Sequence, residues 1–254
     1  MSGERKPSTE RFSGRAAAYD RGRPCYPAAI MDHLFSVGAL FPGCEVADLG
    51  SGTGIFSALL LDRGLLVYAV EPNQDMRSMA EARLAGRKGF VSVAGSAEGT
   101  TLPDRSMDAA TAAQAFHWFD LDRTREEMKR ILRPSGQVVL VWNDRIRESG
   151  DFDRAYEELV ERHAREKERI DALRQEPELR FYTSDFHRAE FEHSEEHDLE
   201  SLECLIASAS YMPKQGEEGY AEMIAELGEL FRRQQHHGKV LMHYRAKCIH
   251  GALD

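Results

Sequence analysis

Short apolar runs alternate with amphipathic stretches over the first half of the chain. The apolar runs are bounded by Gly, Pro and Asp, which is typical of strands buried on both faces. The stretches between them place apolar residues at helical spacing. This alternation predicts right-handed βαβ units and a parallel sheet. The predicted strands are Glu45–Leu49, Leu65–Val70, Phe90–Ala94, Met107–Phe116 and Gln137–Trp142, and the predicted helices are Ile55–Arg63, Asp75–Ala85 and Leu121–Leu132.

The chain beyond residue 150 follows a different pattern. Helical spacing predicts one long helix from Asp151 to about Arg174, with a second half that is nearly all charged. Further on, the pattern predicts a weak strand at Phe191–His197, helices at Leu199–Ala209 and Ala221–Gln235, and a closing strand at Lys239–Ile249. The whole chain is therefore expected to form one domain with a helical cap inserted late.

Composition and charge exclude several classes of partner. Asp and Glu outnumber Lys and Arg by 43 to 33, and the formal charge of −10 disfavours binding to nucleic acid or to an anionic membrane. The apolar runs are too short to span a bilayer, and the N-terminal residues lack the apolar stretch of a secretory signal. The four cysteines have no paired spacing, which favours a reducing cytoplasm over a disulfide framework.

The sharpest motif is Asp48-Leu49-Gly50-Ser51-Gly52-Thr53-Gly54, directly between the first predicted strand and the first predicted helix. Glycines there let the backbone turn tightly and approach a ligand. A dinucleotide-binding loop has the spacing G-x-G-x-x-G, whereas this loop has G-x-G-x-G. Asp48 would repel a pyrophosphate, so the loop favours a ligand with a cationic part and no phosphate. Glu71 ends the second strand, where a carboxylate can accept both hydroxyls of a ribose.

The same residues resemble a known family. The run Asp48–Gly54 resembles motif I of class I S-adenosylmethionine (SAM)-dependent methyltransferases, and Val70–Asn73 resembles the end of their ribose-binding strand. Several further segments resemble the small-molecule branch of type 11 methyltransferases, similar to trans-aconitate methyltransferase. They are Gly95–Glu98, Leu102–Asp108, Gln114–Phe119, Ile131–Gln137 and the N-terminal stretch Phe12–Pro27.

The resemblance implies a fold and its division. The expected fold is α/β, with a Rossmann-like, seven-stranded, mostly parallel sheet, helices on both faces and a small helical cap inserted late in the chain. The single domain 1–254 would comprise an N-terminal lid at 1–28, a SAM-binding core at 40–145, a cap at about 150–237 and a closing strand at 238–254.

The resemblance also implies SAM as the cofactor and S-adenosylhomocysteine (SAH) as its product. Asp48 and the loop backbone would face the methionine part of SAM, and Glu71 would hold the ribose. Tyr19 and Arg23 lie on the segment that folds over the cofactor in similar enzymes. The residues expected to contact the cofactor are Tyr19, Arg23, Asp48, Gly50, Ser51, Gly52, Gly54, Glu71, Pro72, Asn73, Met76, Ser96, Ala97, Glu98, Gln114, Ala115 and His117.

Most candidates for catalysis and for substrate binding lie in the chain after the fourth predicted strand. His117, just past the end of the fourth strand, is the leading candidate for a general base, with a positional role as the alternative, and Tyr19 is a second catalytic candidate. Trp118, Arg145 and Tyr211 are candidates for the acceptor side, and Arg23, Arg145 and Arg147 for binding an anion. The run His193-Ser194-Glu195-Glu196-His197 matches H-x-x-E-H but lacks the helix that such a zinc site needs, so no metal is expected.

These features predict an enzyme that transfers a methyl group from SAM to a small molecule by in-line displacement. A carboxylate or hydroxyl oxygen is the favoured acceptor, and an activated carbon of a quinone-like substrate is the alternative. A non-catalytic SAM-binding module is a second alternative. An NAD-dependent oxidoreductase conflicts with the glycine spacing and with Asp48. The only expected partner is the small-molecule acceptor, for a monomer or a homodimer without nucleic acid or membrane.

Overall fold

Seven strands form one mixed sheet in the computed structural model, which describes residues 21–165, 181–182 and 185–253. Across the sheet the strands run in the order β3-β2-β1-β4-β5-β7-β6. The first five pair in parallel, and β7 pairs antiparallel with both β5 and β6. The strands are β1 (Glu45–Leu49), β2 (Leu66–Val70), β3 (Phe90–Val93), β4 (Met107–Ala113), β5 (Leu132–Arg145), β6 (His187–His197) and β7 (Val240–Ala252).

Seven α-helices of the described chain connect and cover these strands. They are α1 (Ala29–Ser36), α2 (Ile55–Asp62), α3 (Gln74–Arg83), α4 (Leu121–Ile131), α5 (Asp151–His163), α6 (Leu199–Ser208) and α7 (Tyr220–Gln234). Side chains of Asn73, Asp120 and Asp198 cap α3, α4 and α6 by accepting backbone N–H groups of the first turn. None of the described helices is long and apolar enough to cross a membrane.

The strand order fixes where a ligand can bind. Strand β1 pairs with β2 on one side and with β4 on the other. The chain runs outward from β1 to β2 and β3 and then crosses back to β4, so the direction of the connections reverses beside β1. A crevice opens at such a reversal point, beyond the carboxyl ends of the strands. Residues that follow β1, β2, β4 and β5 therefore converge on one edge. The seven-stranded, mostly parallel sheet predicted from the sequence is confirmed.

Two strand boundaries in the core differ from the prediction. The fourth strand ends at Ala113 rather than Phe116, because Gln114 has a left-handed backbone (φ 55°) and a short 3-10 helix, Phe116–Trp118, follows. The fifth strand begins at Leu132 instead of Gln137 and continues to Arg145. Helix α4 does end where Pro134 predicted a stop, but the chain enters the strand at once.

The second half of the chain corrects two further predictions. The helix expected from Asp151 to Arg174 ends at His163, because Ala164 is extended and the Arg165 N–H bonds to the Tyr211 carbonyl. Positions 166–174 lie outside the described residues. The weak strand is longer than predicted, and β6 forms an edge of the main sheet. The cap therefore consists of α5 before β6 and of α6 and α7 after it. Helix α1 was not predicted.

The cap has an apolar cluster of its own. Helices α5, α6 and α7 bury Tyr156, Leu202, Met223 and Leu227 against one another and against Tyr244 of β7. The sheet buries a separate apolar cluster on each of its two faces, and one of these clusters includes residues of α1 and α2. Because α5 packs on β7 through this cluster, and Glu157 of α5 pairs with Arg145 at the end of β5, cap side chains are held beside the crevice of the sheet.

Candidate functional site

The glycine loop after β1 has the tight geometry that its sequence predicts. Gly50, Gly52 and Gly54 all adopt positive φ angles, of 65°, 57° and 79°. A Cβ on Gly50 would lie 2.7 Å from the Ala115 Cβ, and one on Gly54 would lie 2.9 Å from Leu84 Cδ1. Glycine is therefore required at both positions, by the backbone and by the packing of α2 against α3.

Glu71 fastens this loop to the end of β2. One carboxylate oxygen accepts the Gly52 N–H at 2.9 Å, and the other accepts the Asn73 N–H at 2.8 Å. Glu71 is only 7% exposed, and burial raises the pKa of its carboxyl although the two N–H groups oppose the rise. Each oxygen keeps a lone pair for a further donor. A pair of ribose hydroxyls fits this arrangement.

Asp48 lies deeper than Glu71, at the end of β1. Its carboxylate accepts hydrogen bonds from Ser57 Oγ at 2.6 Å and from Thr111 Oγ1 at 2.8 Å. Burial raises the pKa of Asp48 to about 6, although both hydroxyls favour the charged form. These bonds tie β1 to α2 and β4, so Asp48 supports the loop as well as bordering the cavity beside it.

Two adjoining cavities share Gly50, Gly52 and Gln114 at the crevice. They enclose about 500 and 710 Å³ of space that is continuous with solvent. Between them they are lined by most of the residues predicted to contact the cofactor: Arg23, Asp48, Gly50, Ser51, Gly52, Glu71, Pro72, Asn73, Met76, Ser96, Ala97, Glu98, Gln114 and Ala115. Trp118, predicted for the acceptor side, also lines the larger cavity.

Three predicted cofactor residues are not among the lining residues. Gly54 packs against α3 instead, and the His117 ring contacts the ring of Trp118, which does line the larger cavity. Tyr19 lies outside the described residues. The remaining lining residues were not predicted to contact the cofactor, although Pro24, Tyr26, Thr53 and Phe119 lie inside segments that carry the family resemblance. They are Pro24, Tyr26, Thr53, Ile55, Phe56, Ala113, Phe119 and Asn143.

Two hydroxyls of the loop lack partners within the described part of the chain. Ser51 Oγ and Thr53 Oγ1 are both buried and make no hydrogen bond there. Both residues line the smaller cavity. A buried hydroxyl without a partner is costly, so these groups indicate a polar ligand at this position. The cavities, the glycine cradle and the unsatisfied hydroxyls together fit a nucleoside carrying a polar amino-acid chain.

Gln114 connects the cavities to β5. Its backbone N–H bonds to the Val141 carbonyl at 2.8 Å, and its side-chain Nε2 donates to the Asn143 carbonyl at 2.9 Å. These bonds hold the left-handed conformation of Gln114, which a residue with a side chain rarely adopts. Backbone strain of this kind is concentrated at functional sites.

Residues 21–28, named the strap here, cross the smaller cavity. Arg23, Pro24 and Tyr26 line it. The Cys25 N–H donates to Glu195 Oε1 at 2.8 Å, and the Cys25 carbonyl accepts Asn143 Nδ2 at 2.9 Å. The strap is thus fixed through one residue to β5 and β6.

His117 stands beside the strap in the short helix after β4. Burial, and then the positive charge of Arg23, lower the pKa of His117 to about 4. Its imidazole is therefore neutral at pH 7 and weakly basic. The ring contacts Trp118, with ring centroids 4.9 Å apart. The lowered pKa makes His117 a weaker general base than an ordinary histidine.

A cationic and aromatic cluster lies past the end of β5, under the cap. Glu157 of α5 accepts hydrogen bonds from Arg145 at 3.0 Å and pairs with Arg147 at 2.9 Å. The Arg145 guanidinium lies over the Tyr156 ring, 5.0 Å from its centroid. Tyr211 is also close enough to act electrostatically on Arg145. The structure therefore brings together two of the three predicted acceptor-side residues, Arg145 and Tyr211.

The H-x-x-E-H run lies on strand β6, not on a helix. His193 Nε2 bonds to Asn143 Oδ1 at 2.9 Å, and His197 Nε2 bonds to the Tyr244 hydroxyl at 3.0 Å. Both histidines are therefore engaged in holding β6, β7 and the end of β5 together. Within the described residues, no group of His, Cys, Asp or Glu is arranged to hold a metal ion.

Comparison with known proteins identifies the core of the chain as a methyltransferase domain, the family that its motifs resemble. Residues 47–140 match a family model described as a methyltransferase domain of type 11. The chain is 39% identical over 158 residues to an uncharacterized methyltransferase of Mycobacterium tuberculosis, covering 60% of this chain and 62% of that protein. It is 30% identical over 156 residues to an uncharacterized methyltransferase of Geobacillus kaustophilus, covering 58% of this chain and 71% of that protein.

Two more proteins extend the comparison. A malonyl-[acyl-carrier protein] O-methyltransferase of Serratia marcescens is 30% identical over 131 residues, covering 49% of this chain and 50% of that protein. A solved structure from Anaeromyxobacter dehalogenans, provisionally designated a type II methyltransferase, superposes with a TM-score of 0.68 at 24% identity and covers 90% of this chain and 97% of that chain. The alignment with the Mycobacterium tuberculosis protein spans less than two thirds of that protein's length. The likeness to the Anaeromyxobacter structure supports the fold.

Proposed function

The chain belongs to the family of type 11, class I methyltransferase domains, and on that premise we propose that it transfers a methyl group from SAM to a small-molecule acceptor. The observation that carries the proposal is the loop Gly50–Gly54, fastened through the Gly52 N–H to Glu71. It places a carboxylate with free lone pairs and two unsatisfied hydroxyls around one crevice. The absence of the phosphate-binding G-x-G-x-x-G spacing supports SAM over a dinucleotide.

Several residues of this chain would hold the cofactor. Glu71 accepts the ribose hydroxyls, while Ala97, Glu98 and Trp118 line the adenine side in the larger cavity. Ser51 and Thr53 offer their hydroxyls to the polar end of the methionine part in the smaller cavity. SAM supplies a methyl group on a sulfonium, which an acceptor atom displaces in line. The protein has to align the two reactants and exclude water, and the strap and the cap serve that purpose.

An oxygen atom is the favoured acceptor. A carboxylate oxygen attacks the methyl carbon, the carbon–sulfur bond breaks with its electron pair left on sulfur, and the products are a methyl ester and SAH. No proton moves in that reaction, which suits the weak basicity of His117. A phenol or alcohol requires a base, and His117 would then have to accept the proton. The Serratia relative is named an O-methyltransferase, which supports oxygen over carbon.

The cellular setting follows as part of the same proposal. The described cysteines, Cys25, Cys44, Cys204 and Cys248, are all free thiols, as expected for a reducing compartment such as the cytoplasm. We propose that the protein acts there as a monomer or homodimer on a small acceptor, without nucleic acid.

Methyl transfer from labelled SAM tests the proposal. The protein is incubated with methyl-labelled SAM and, separately, with small carboxylic acids, phenols and quinols, and both labelled product and SAH are measured. The expected result is stoichiometric formation of labelled product and SAH with at least one carboxylic acid, and none when the acceptor is omitted. Label on a quinol carbon would favour the C-methyltransferase alternative. Tight SAM binding without transfer to any acceptor would overturn the proposal in favour of a non-catalytic SAM-binding module.

A further inference from the structure

The end of strand β5 carries a second group of polar residues beyond the cavities. Asn143 lines the smaller cavity, and Arg145 follows two positions later. Side chains alternate along a strand, so Arg145 lies on the same face as Asn143, about 7 Å further along. The carboxyl ends of parallel strands are where ligands bind in sheets of this kind. Arg145 is therefore placed at the rim of the crevice, on the side of the cap.

The ion pairs at this rim give two guanidinium groups a single carboxylate. Arg145 and Arg147 share the carboxylate of Glu157. The nearby carboxylates of Asp153 and Glu195 bond instead to His243 and to the Cys25 N–H respectively. Two guanidinium groups present more N–H donors than one carboxylate can accept. A carboxylate of a ligand can accept hydrogen bonds from the donors that remain.

Tyr156 adds a hydrogen-bond donor at the same place. Its side chain is 1% exposed, and its hydroxyl makes no hydrogen bond within the described part of the chain. The Arg145 guanidinium lies over its ring. Buried tyrosine hydroxyls usually find a partner, so an unsatisfied one beside an arginine indicates a missing acceptor of hydrogen bonds. A phenol and a guanidinium both donate, and a carboxylate accepts from both.

We propose that Arg145 and Tyr156 form an anchor for a carboxylate of the acceptor, and that Glu157 fixes the orientation of Arg145. The inference rests on the proposed function, because it assigns the substrate class of that same crevice. Tyr156 is a specificity residue in this account, and neither its position in the chain nor its sequence neighbourhood singled it out.

Binding to the protein saturated with SAH tests the anchor without a known substrate. Succinate and citrate are titrated by calorimetry, with succinamide as the neutral analogue. At least one of the two carboxylates is expected to bind and succinamide is not. Arg145→Gln is expected to weaken carboxylate binding by roughly tenfold or more, and Tyr156→Phe by about threefold to tenfold, as for charged and neutral hydrogen bonds respectively. Arg154→Gln, which alters an exposed pair on the same helix, is the control and should bind like the unmodified protein.

A second readout separates binding from folding. Tyr156→Phe removes only an unsatisfied buried hydroxyl, so its melting temperature is expected to stay equal or to rise while carboxylate binding weakens. A variant that melts lower and binds normally would make Tyr156 structural and overturn the anchor. Equal binding of succinamide, or no binding of either carboxylate to the SAH-saturated protein, would also overturn it. If the unmodified protein did not bind SAH at all, that result would contradict the proposed function and not the anchor.

Discussion

Replacing Asn143 with Ala tests whether the strap closes over the crevice. Asn143 is 7% exposed at the end of β5. Its Nδ2 holds the Cys25 carbonyl and its Oδ1 accepts His193 Nε2, both at 2.9 Å. Alanine removes both bonds, while the backbone carbonyl that holds Gln114 remains. The strap would keep other fixed points, among them the Cys25 N–H on Glu195, the ion pair of Arg21 with Glu200 and the close approach of Gly22 to the backbone of Leu205.

The size of the effect follows from the bonds lost. The bond to the Cys25 carbonyl is only part-buried, and losing a hydrogen bond of this kind costs about 0.5–1.5 kcal/mol. If that cost falls on closure of the strap, opening becomes roughly 2- to 12-fold more frequent, at about 1.4 kcal/mol per factor of ten. Because Arg23, Pro24 and Tyr26 line the smaller cavity, the affinity for SAH is expected to fall with it.

Hydrogen exchange by mass spectrometry measures this opening directly. In Asn143→Ala, the peptide that covers residues 21–28 should exchange faster by the same factor, and SAH should slow its exchange in the unmodified protein. Gln137→Ala is the matched control, since Gln137 lies on the same strand and, among the described residues, its side-chain amide bonds only to the nearby Ser135 carbonyl. Unchanged exchange of the strap in Asn143→Ala, with SAH affinity also unchanged, would refute the reasoning.

Three further predictions concern the loop, its packing and the response to acid. Glu71→Gln turns an amide donor toward the Gly52 or Asn73 N–H, and calorimetry is expected to show SAH binding weakened by about tenfold or more. Glu81→Gln is the control, because it alters an exposed carboxylate bonded to Ser92 and should bind SAH normally. Gly54→Ala should lower the free energy of unfolding in urea by about 1–3 kcal/mol. Gly38 has a similar φ, but a Cβ there would meet nothing within 4 Å, so Gly38→Ala measures the backbone strain alone. An equally large loss of stability in Gly38→Ala would refute the contribution of packing at Gly54. Burial, aided by His33 and His187, lowers the pKa of His250 to about 4, so the native state binds fewer protons than the unfolded chain and loses stability as the pH falls below about 6.5. Between pH 7.5 and pH 5, the free energy of unfolding of His250→Gln should therefore fall by about 2 kcal/mol less than that of the unmodified protein. An equal fall in both proteins would contradict this. Asp48, whose pKa is raised, contributes with the opposite sign, and because both proteins contain it, its contribution cancels in the comparison.

The core of the fold was predictable because its signals are local. Buried parallel strands are continuous apolar runs, and the motif Asp48–Gly54 encodes its own turn through residues that tolerate positive φ. The segment of helix α1 carries a comparable signal, since Ile30, Met31 and Leu34 fall at helical spacing and are fully buried. The end of β4 was placed too late because nothing in the sequence marks Gln114 for a left-handed backbone.

The acceptor side of the site was much less predictable than the cofactor side. Most residues predicted for the cofactor line the two cavities, because they follow strand ends that sequence patterns locate. The roles of Asn143 and Tyr156 depend on contacts with Cys25 and Arg145, which are distant in sequence. Such contacts arise from the packing of the strap and the cap, and no local residue pattern encodes them.

Calorimetric titration of the purified protein with SAM, SAH and NADH tests the central claim most directly. The account predicts micromolar binding of SAM and SAH with one site per chain and no binding of NADH, because the loop and Glu71 recognise an unphosphorylated ribose. Folded protein that binds neither SAM nor SAH, or that binds NADH instead, would contradict it.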